Sequence, residues 1–255
     1  MTDPIVEKLK NEPIHTFDSL VEIMRLLRSE GGCPWDREQT HESIRSNFIE
    51  ETYEVIEAID TRDPVLLREE LGDVLLQVVF HARISEEAGD FSIDGVIHDV
   101  CAKLIHRHPH IFASVEANTS EEVLANWEAI KTEEKKRVGL GGTLAAIPPS
   151  LPALMYAQKI VKKAGKEHAS PSETAARAAM KSACDAEPAE MLETLLLSAA
   201  VIAQKNRLDA EEILSRACRR ITAELSEAEK TAVWQNGGER ENARESISDM
   251  VFFGE

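Results

Sequence analysis

Apolar residues recur at spacings of three and four through most of the chain, and strand-type alternation is scarce. That periodicity predicts helices. The first covers FDSLVEIMRLLRSE, with Asp18 placed to cap it and Gly31-Gly32 to stop it. A loop, CPWD, leads into a long helix over roughly residues 40 to 60. Asp63 followed by Pro64 supplies a cap and a first-turn proline for a third helix, which runs to about Glu87 and stops near Gly89. Ser92 begins a fourth that ends before Pro109, and Thr119-Ser120-Glu121-Glu122 has capping-box spacing ahead of a fifth, VLANWEAIKTEEKKR. Five helices with short turns predict an all-α fold, a compact antiparallel bundle.

The texture then changes. GLGGTLAAIPPSLP, residues 139–152, concentrates Gly and Pro and reads as a linker between a domain of residues 1–138 and a second of residues 153–255. In the second, LPALMYAQKIVKKAG, AEMLETLLLSAAVIAQ and AEEILSRACRRITAEL are again amphipathic. The tail from Gly237 to Glu255 is polar until VFF and is expected to be loosely ordered.

One helical stretch does not fit a plain core. FIEETYEVIEAID, residues 48–60, carries Ile49, Val55, Ile56 and Ile59 together with Glu50, Glu51, Glu54 and Glu57. With Glu50 as zero, Glu51 lies at about 100° around the axis, Glu54 at about 40° and Glu57 at about −20°, so the acids share one face. Ile49, Ile56 and Ile59 are left to reach a core from the opposite side. The following helix repeats the arrangement, with Glu70 and Asp73 about 60° apart and Gln77 and His81 continuing the stripe. Leu71, Val74, Leu75 and Val78 flank it. Mid-helix Gly72 costs about 1 kcal/mol against alanine, which suits a position that another backbone or a ligand approaches.

Two antiparallel helices joined at Asp63-Pro64 bring these acidic faces together. Bare carboxylates so close would repel, or raise their pKa values until some were neutral. A hard divalent cation resolves the conflict, because Mg²⁺ takes oxygen ligands and keeps waters for a phosphate-bearing substrate. Cations for the phosphates are available on later helices. Lys103 and Arg107 stand four apart, as do Trp127 and Lys131. His106, His108 and His110 form H-x-H-x-H, but Pro109 interrupts the helix and no partner follows at zinc spacing, so these rings are expected to pack the turn.

Charge and cysteines narrow the class. The chain has 29 basic and 46 acidic residues, a formal charge of −17 that repels a phosphate backbone and argues against nucleic-acid binding. Its four cysteines form no C-x-x-C pair, which points to neither a zinc ribbon nor a disulfide framework and fits a cytoplasmic setting. MTDPIVEKLK lacks the apolar core of a signal peptide, and no apolar run approaches a membrane span, so no membrane partner is expected. A di-iron carboxylate bundle calls for two Glu-x-x-His motifs, and the chain has one, Glu38 to His41. A non-catalytic helical nucleotide-binding or interaction module is the other rival.

CPWDREQTHESI, the E-E-x-x-E of Glu50 to Glu54, the E-L-G-D of Glu70 to Asp73, RHPHIF at 107–112 and NWEAIKTEEK at 126–135 occur together and in order. Over roughly residues 15 to 160 the chain resembles MazG, the nucleoside triphosphate pyrophosphohydrolase of the all-α NTP pyrophosphatase superfamily. The resemblance implies a four-helix core that forms homodimers or higher homo-oligomers. It also implies Mg²⁺-dependent hydrolysis of ribo- or deoxyribonucleoside triphosphates to monophosphate and pyrophosphate, with Mn²⁺ able to substitute, serving house-cleaning or nucleotide-pool control.

Carried over by position, Glu51, Glu54, Glu70 and Asp73 are the metal ligands and Glu50 completes the acidic cluster, with Glu50 or Glu54 acting on the attacking water. Lys103 and Arg107 hold phosphates, and Trp127 with Lys131 borders the nucleotide. LPALMYAQKIVKK resembles the start of a second copy. Where that copy should carry its own acidic motifs it has AARAAMKSACD and AEMLETLLLSA, with Met191 and Thr194 at the E-x-x-D positions. VWQNGG, with Trp234, resembles a relic of the Trp-lysine segment, its lysine replaced by Gly238. The second domain is therefore expected to be degenerate and non-catalytic.

Overall fold

The computed structural model describes residues 4–134, 139–166 and 169–235. Among these residues it has thirteen helices and no strand. The chain forms two compact units, one ending at Lys131 and the other beginning at Thr132. The polar tail from Gly237 onward, Gly238 included, lies outside the described residues, and so does the side chain of Trp234.

The first unit holds α1 (Pro4–Asn11), α2 (Phe17–Arg28), α3 (Pro34–Glu38), α4 (Arg45–Thr61), α5 (Pro64–Ala88), α6 (Ile93–Arg107) and α7 (Pro109–Phe112). α8 (Ser120–Glu134) crosses the boundary between the units. α4 packs along α5, and α2 and α6 also pack on α5. Met24, Ile44, Val79 and Phe80 form the buried centre, closed over by Phe17, Leu20, Val21, Leu76, Ile84 and Ile93. α5 is thus the element on which the others assemble.

Most termini follow the chemistry of the sequence. Asp63 accepts hydrogen bonds from the backbone N–H groups of Val65 and Leu66 at 2.9 and 3.1 Å ahead of Pro64. Gly89 closes the same helix at φ 79°, a left-handed conformation that glycine adopts at no steric cost. Ser92 caps α6, and Thr119 and Glu122 make the reciprocal bonds of a capping box at 3.2 and 3.3 Å.

Three expectations change. The cap of α2 is Thr16 rather than Asp18, because Thr16 and Ser19 exchange side-chain to backbone bonds and leave Asp18 in the first turn. CPWD is not a plain loop, since Pro34 at the first helical position starts the short α3. Ile49, Ile56 and Ile59 do not reach the core; they are 53%, 42% and 56% exposed. The seam of α4 runs instead through Ile44, Phe48, Glu51, Val55 and Ala58, the three-four spacing of one helix lying along another, and that places an acid where an apolar residue belongs.

The second unit holds α9 (Gly139–Ala145), α10 (Ala153–Lys166), α11 (Glu173–Ala183), α12 (Pro188–Lys205) and α13 (Ala210–Gln235). α9 occupies the stretch expected as a linker, where Gly139 at φ 73° precedes a run free of proline until Pro148. α12 packs on α10, α11 and α13. Buried Gln158 on α10 donates to the Leu208 carbonyl at 2.8 Å and accepts from the Ala210 N–H at 2.7 Å, completing the turn between α12 and α13.

Candidate functional site: a carboxylate seam between two helices

α4 and α5 are antiparallel around Asp63, so the seam residues of one meet those of the other in reverse order. Glu51 and Glu54 therefore face Glu70 and Asp73. Oxygen atoms of Glu51, Glu70 and Asp73 lie within 4.8 Å of one another. Glu70 is buried, while Glu51, Glu54 and Asp73 are half-buried. Glu54 lies against both Glu51 and Glu70. Glu50 stands at the exposed rim, close enough for its charge to act on Glu51, and Glu57 is exposed.

Burial and crowding have the expected electrostatic result. The Glu51 carboxyl is pushed above the ordinary glutamate range by burial first, then by the charges of Asp73, Glu54 and Glu50. Glu70 is raised by burial first, then by Glu54, Asp73 and Glu69. No lysine or arginine among the described residues pairs with these carboxylates. Oxygen donors that converge, resist ionisation and lack a cation of their own form a donor set that suits a hard divalent ion. The cluster can concentrate such an ion and hold a water beside it.

The remaining stripe of α5 is polar and mostly occupied. Gln77 is buried with its Oε1 unpartnered. One turn further, His81 hydrogen-bonds His41 through the two Nδ1 atoms at 2.7 Å, and its pKa is lowered by burial and then by that neighbour. At Gly72 a Cβ would meet nothing within 4 Å, so among the described residues no other backbone makes the close approach, and the space beside it is left to a ligand.

A second cluster gathers the predicted cation and aromatic. Arg107 is buried and its guanidinium lies 5.2 Å from the Trp127 ring centroid. His108 packs edge-on against the same ring at 4.9 Å, fixed by donating from Nδ1 to the Leu104 carbonyl at 2.6 Å. Histidines 108 and 110 thus pack the turn, as the interrupted helix suggested. Lys103 is exposed one turn before Arg107, and Lys131 is half-buried one turn after Trp127. The chemistry of His41 and Ser85 was not legible from spacing, because it joins residues 44 apart in sequence.

The second unit repeats the burial pattern without the acids. Along α12, Ser198, Ala200, Val201 and Ala203 are buried at the intervals of Gln77, Val79, Phe80 and Ala82 on α5. That correspondence puts Met191 and Thr194 at the positions of Glu70 and Asp73. Along α11, Ala176 and Ala183 are buried at the interval of Glu51 and Ala58, and Ala179 answers Glu54. Four carboxylates are replaced by four uncharged side chains.

Comparison with known proteins gives a consistent picture. Residues 39–112 match the model of the MazG nucleotide pyrophosphohydrolase domain. The chain is 50% identical over 151 residues to a nucleoside triphosphate pyrophosphohydrolase of Escherichia coli, covering 59% of this chain and 57% of that protein. It is 47% identical over 150 residues to the nucleoside triphosphate pyrophosphohydrolase/pyrophosphatase MazG of Thermotoga maritima, with the same coverage of 59% and 57%. It is also 45% identical over 164 residues to the uncharacterized protein YabN of Bacillus subtilis, covering 64% of this chain and 33% of that one. The chain therefore spans less than two thirds of the length of these curated relatives.

Proposed function

We propose that this protein, whose residues 39–112 match the MazG nucleotide pyrophosphohydrolase domain, hydrolyses nucleoside triphosphates to nucleoside monophosphate and pyrophosphate at the carboxylate seam of its first unit. The observation that carries this reading is the convergence of Glu51, Glu70 and Asp73 within 4.8 Å, with Glu54 against them. Mg²⁺, or Mn²⁺ in its place, suits the all-oxygen donor set of Glu51, Glu54, Glu70 and Asp73. The chemistry such an ion supplies is charge neutralisation and acidification of water.

The chain's own residues do the rest. Glu54, half-buried beside two carboxylates, orients a water and takes its proton as the water oxygen bonds to the α-phosphorus. Glu50, at the rim, adds negative charge that draws the ion in. The bond from the α-phosphorus to its bridging oxygen breaks, and pyrophosphate leaves with that oxygen. Arg107 and Lys103 neutralise the leaving group, and the Trp127 face with Lys131 borders the nucleoside. Burial of Arg107 against Trp127 keeps the guanidinium in a fixed direction, which favours a bidentate hold on phosphate.

The second unit serves as a non-catalytic helical domain in this reading, because Ala176, Ala179, Met191 and Thr194 offer no carboxylate. Self-association covers apolar surface that the first unit leaves bare: Ile49, Tyr53 and Ile56 on α4, Leu71 and Leu75 on α5, and Val100 and Leu104 on α6. The family resemblance suggests a role in clearing or limiting nucleotide pools, with the cytoplasm as its setting. No helix among the described residues is long and apolar enough to cross a membrane. The test is incubation with mixed nucleoside triphosphates and Mg²⁺, followed by detection of monophosphate and pyrophosphate. Product formation abolished by EDTA is the expected result. Saturable nucleotide binding without released pyrophosphate would replace the enzyme with a binding module.

A further inference from the structure

His41 spends both ring nitrogens on α5. Its Nδ1 meets the Nδ1 of His81 at 2.7 Å, and its Nε2 meets the Oγ of Ser85 at 3.2 Å, one turn further along. The two imidazoles are parallel to within 3°, with centroids 5.1 Å apart. Ser85 is 1% exposed, so the far end of the bracket is fixed in the core. Phe48, on α4, packs edge-on against the same His81 ring at 5.9 Å. His81 is therefore gripped from two turns of the α4 segment.

The grip extends into α4. Thr40 and Ser43 exchange side-chain to backbone bonds at 2.9 and 3.3 Å, the Ile44 N–H donates to the Thr40 carbonyl, and the Phe48 N–H donates to the Ile44 carbonyl. Residue 41 thus belongs to the turn from which α4 grows, and Ile44, 1% exposed, is seated in the core beside it. On the other side, Arg28 donates to the Asp36 and Gln39 carbonyls and pairs with Glu87 on α5, which holds the approach to that turn. A helix pinned at its start cannot slide along its neighbour. The carboxylates need that constraint, because their mutual repulsion pushes α4 and α5 apart or out of step whenever no ion lies between them.

We propose that His41, clasped to His81 and Ser85, is a positioning residue that sets the lengthwise register of α4 on α5 and so holds Glu51 and Glu54 opposite Glu70 and Asp73. The consequence for the ion rests on the function proposed above; the clasp itself does not. The two bonds survive in either neutral tautomer arrangement, Ser85 donating toward His81 or His81 toward Ser85, so the bracket needs no charged ring. Its value lies in direction rather than strength: two bonds one turn apart fix where along α5 the first turn of α4 begins.

The test uses the full chain, with His41→Phe, which keeps the ring and loses both bonds, and His41→Asn, whose amide reaches the place of Nδ1. Two readouts are taken. Hydrogen exchange of the α4 amides without metal should be faster in His41→Phe and near wild type in His41→Asn. Titration with Mn²⁺ alone should give about tenfold weaker binding for His41→Phe, the lower end of what losing a supporting partner of a metal ligand costs, and recovery to within about twofold for His41→Asn. Val79→Ala, a core change that loosens the bundle without touching the clasp, is the control and should lose less Mn²⁺ affinity at equal loss of thermal stability. Unchanged α4 exchange in His41→Phe overturns the clasp, and so does an equal loss of Mn²⁺ affinity in Val79→Ala. Failure of the wild type to bind Mn²⁺ overturns the proposed function instead, and the exchange measurement still judges the clasp.

Discussion

The two units bury side chains at the same intervals and differ in what they bury. In the first, the α4–α5 seam contains Glu51, Glu70 and Asp73, with Glu54 beside them. In the second, the α11–α12 seam carries Ala176, Ala179, Met191 and Thr194 at the matching positions. A seam of small and apolar residues closes by itself, through apolar contact and nothing more. A seam of acids works against closure until something positive enters, and two of its members respond by resisting ionisation. The difference teaches that the bundle does not need these acids to form. Their presence costs stability, and a ligand is the plain compensation.

The largest expected effect separates the seams by activity. Glu54→Gln or Asp73→Asn should cut hydrolysis by roughly a thousandfold or more, the scale of losing a residue acting directly in the transition state, with the helical circular dichroism unchanged. Met191→Ala or Thr194→Ala should leave turnover within about twofold under the same comparison. Near wild-type turnover in either acid variant removes the mechanism. A fragment of residues 1–150 should retain turnover per folded dimer, and an inert fragment that is folded and dimeric would return a catalytic share to the second unit.

A transplant probes the same contrast from the other side. Ala176→Glu, Ala179→Glu, Met191→Glu and Thr194→Asp together should make the second unit less stable without metal and add a second class of Mn²⁺ sites in calorimetry. If no further sites appear, seam composition is not what distinguishes the units.

Stability against pH gives a smaller signal. Glu51 and Glu70 have native pKa values above those of the unfolded chain, so the native state holds the extra protons and stability is greatest below the ordinary glutamate value. It should fall as pH rises from there through the raised native values, and added Mg²⁺ should recover part of the loss at neutral pH. Thermal melts of the metal-free protein, alone and as Glu70→Gln, measure this, and the variant should show the flatter profile. Smallest is Gly72→Ala, which should stabilise by up to about 1 kcal/mol because a Cβ meets nothing there. A loss instead would show that another surface seats against that glycine in solution.

Helix positions and caps were legible in the sequence because they depend on neighbours a few residues apart; Asp63, Ser92 and the Thr119–Glu122 box are examples. So was the meeting of Glu51, Glu54, Glu70 and Asp73, because an antiparallel turn at Asp63 brings the two acidic faces to the same side. The side of α4 that is buried was not legible. Ile49, Ile56 and Ile59 form as good an apolar stripe as Ile44, Val55 and Ala58, and only the partner helix chooses between them. The Thr16 cap was obscured for a similar reason, since Asp18 is also a good cap and the choice depends on the reciprocal bond from Ser19. Pairings across long separations, such as His41 with His81, carry no periodic signal at all.

Gln158 has a consequence for how the second unit is built. Its amide holds Leu208 and Ala210, separated from it by 50 and 52 positions along the chain. The hinge that launches α13 is therefore finished by a side chain supplied much earlier in synthesis, so that bend cannot mature from its own local sequence. Assembly of this half should end, not begin, with α13 locking down, and a nascent chain cut before Leu208 would leave that amide without its two partners.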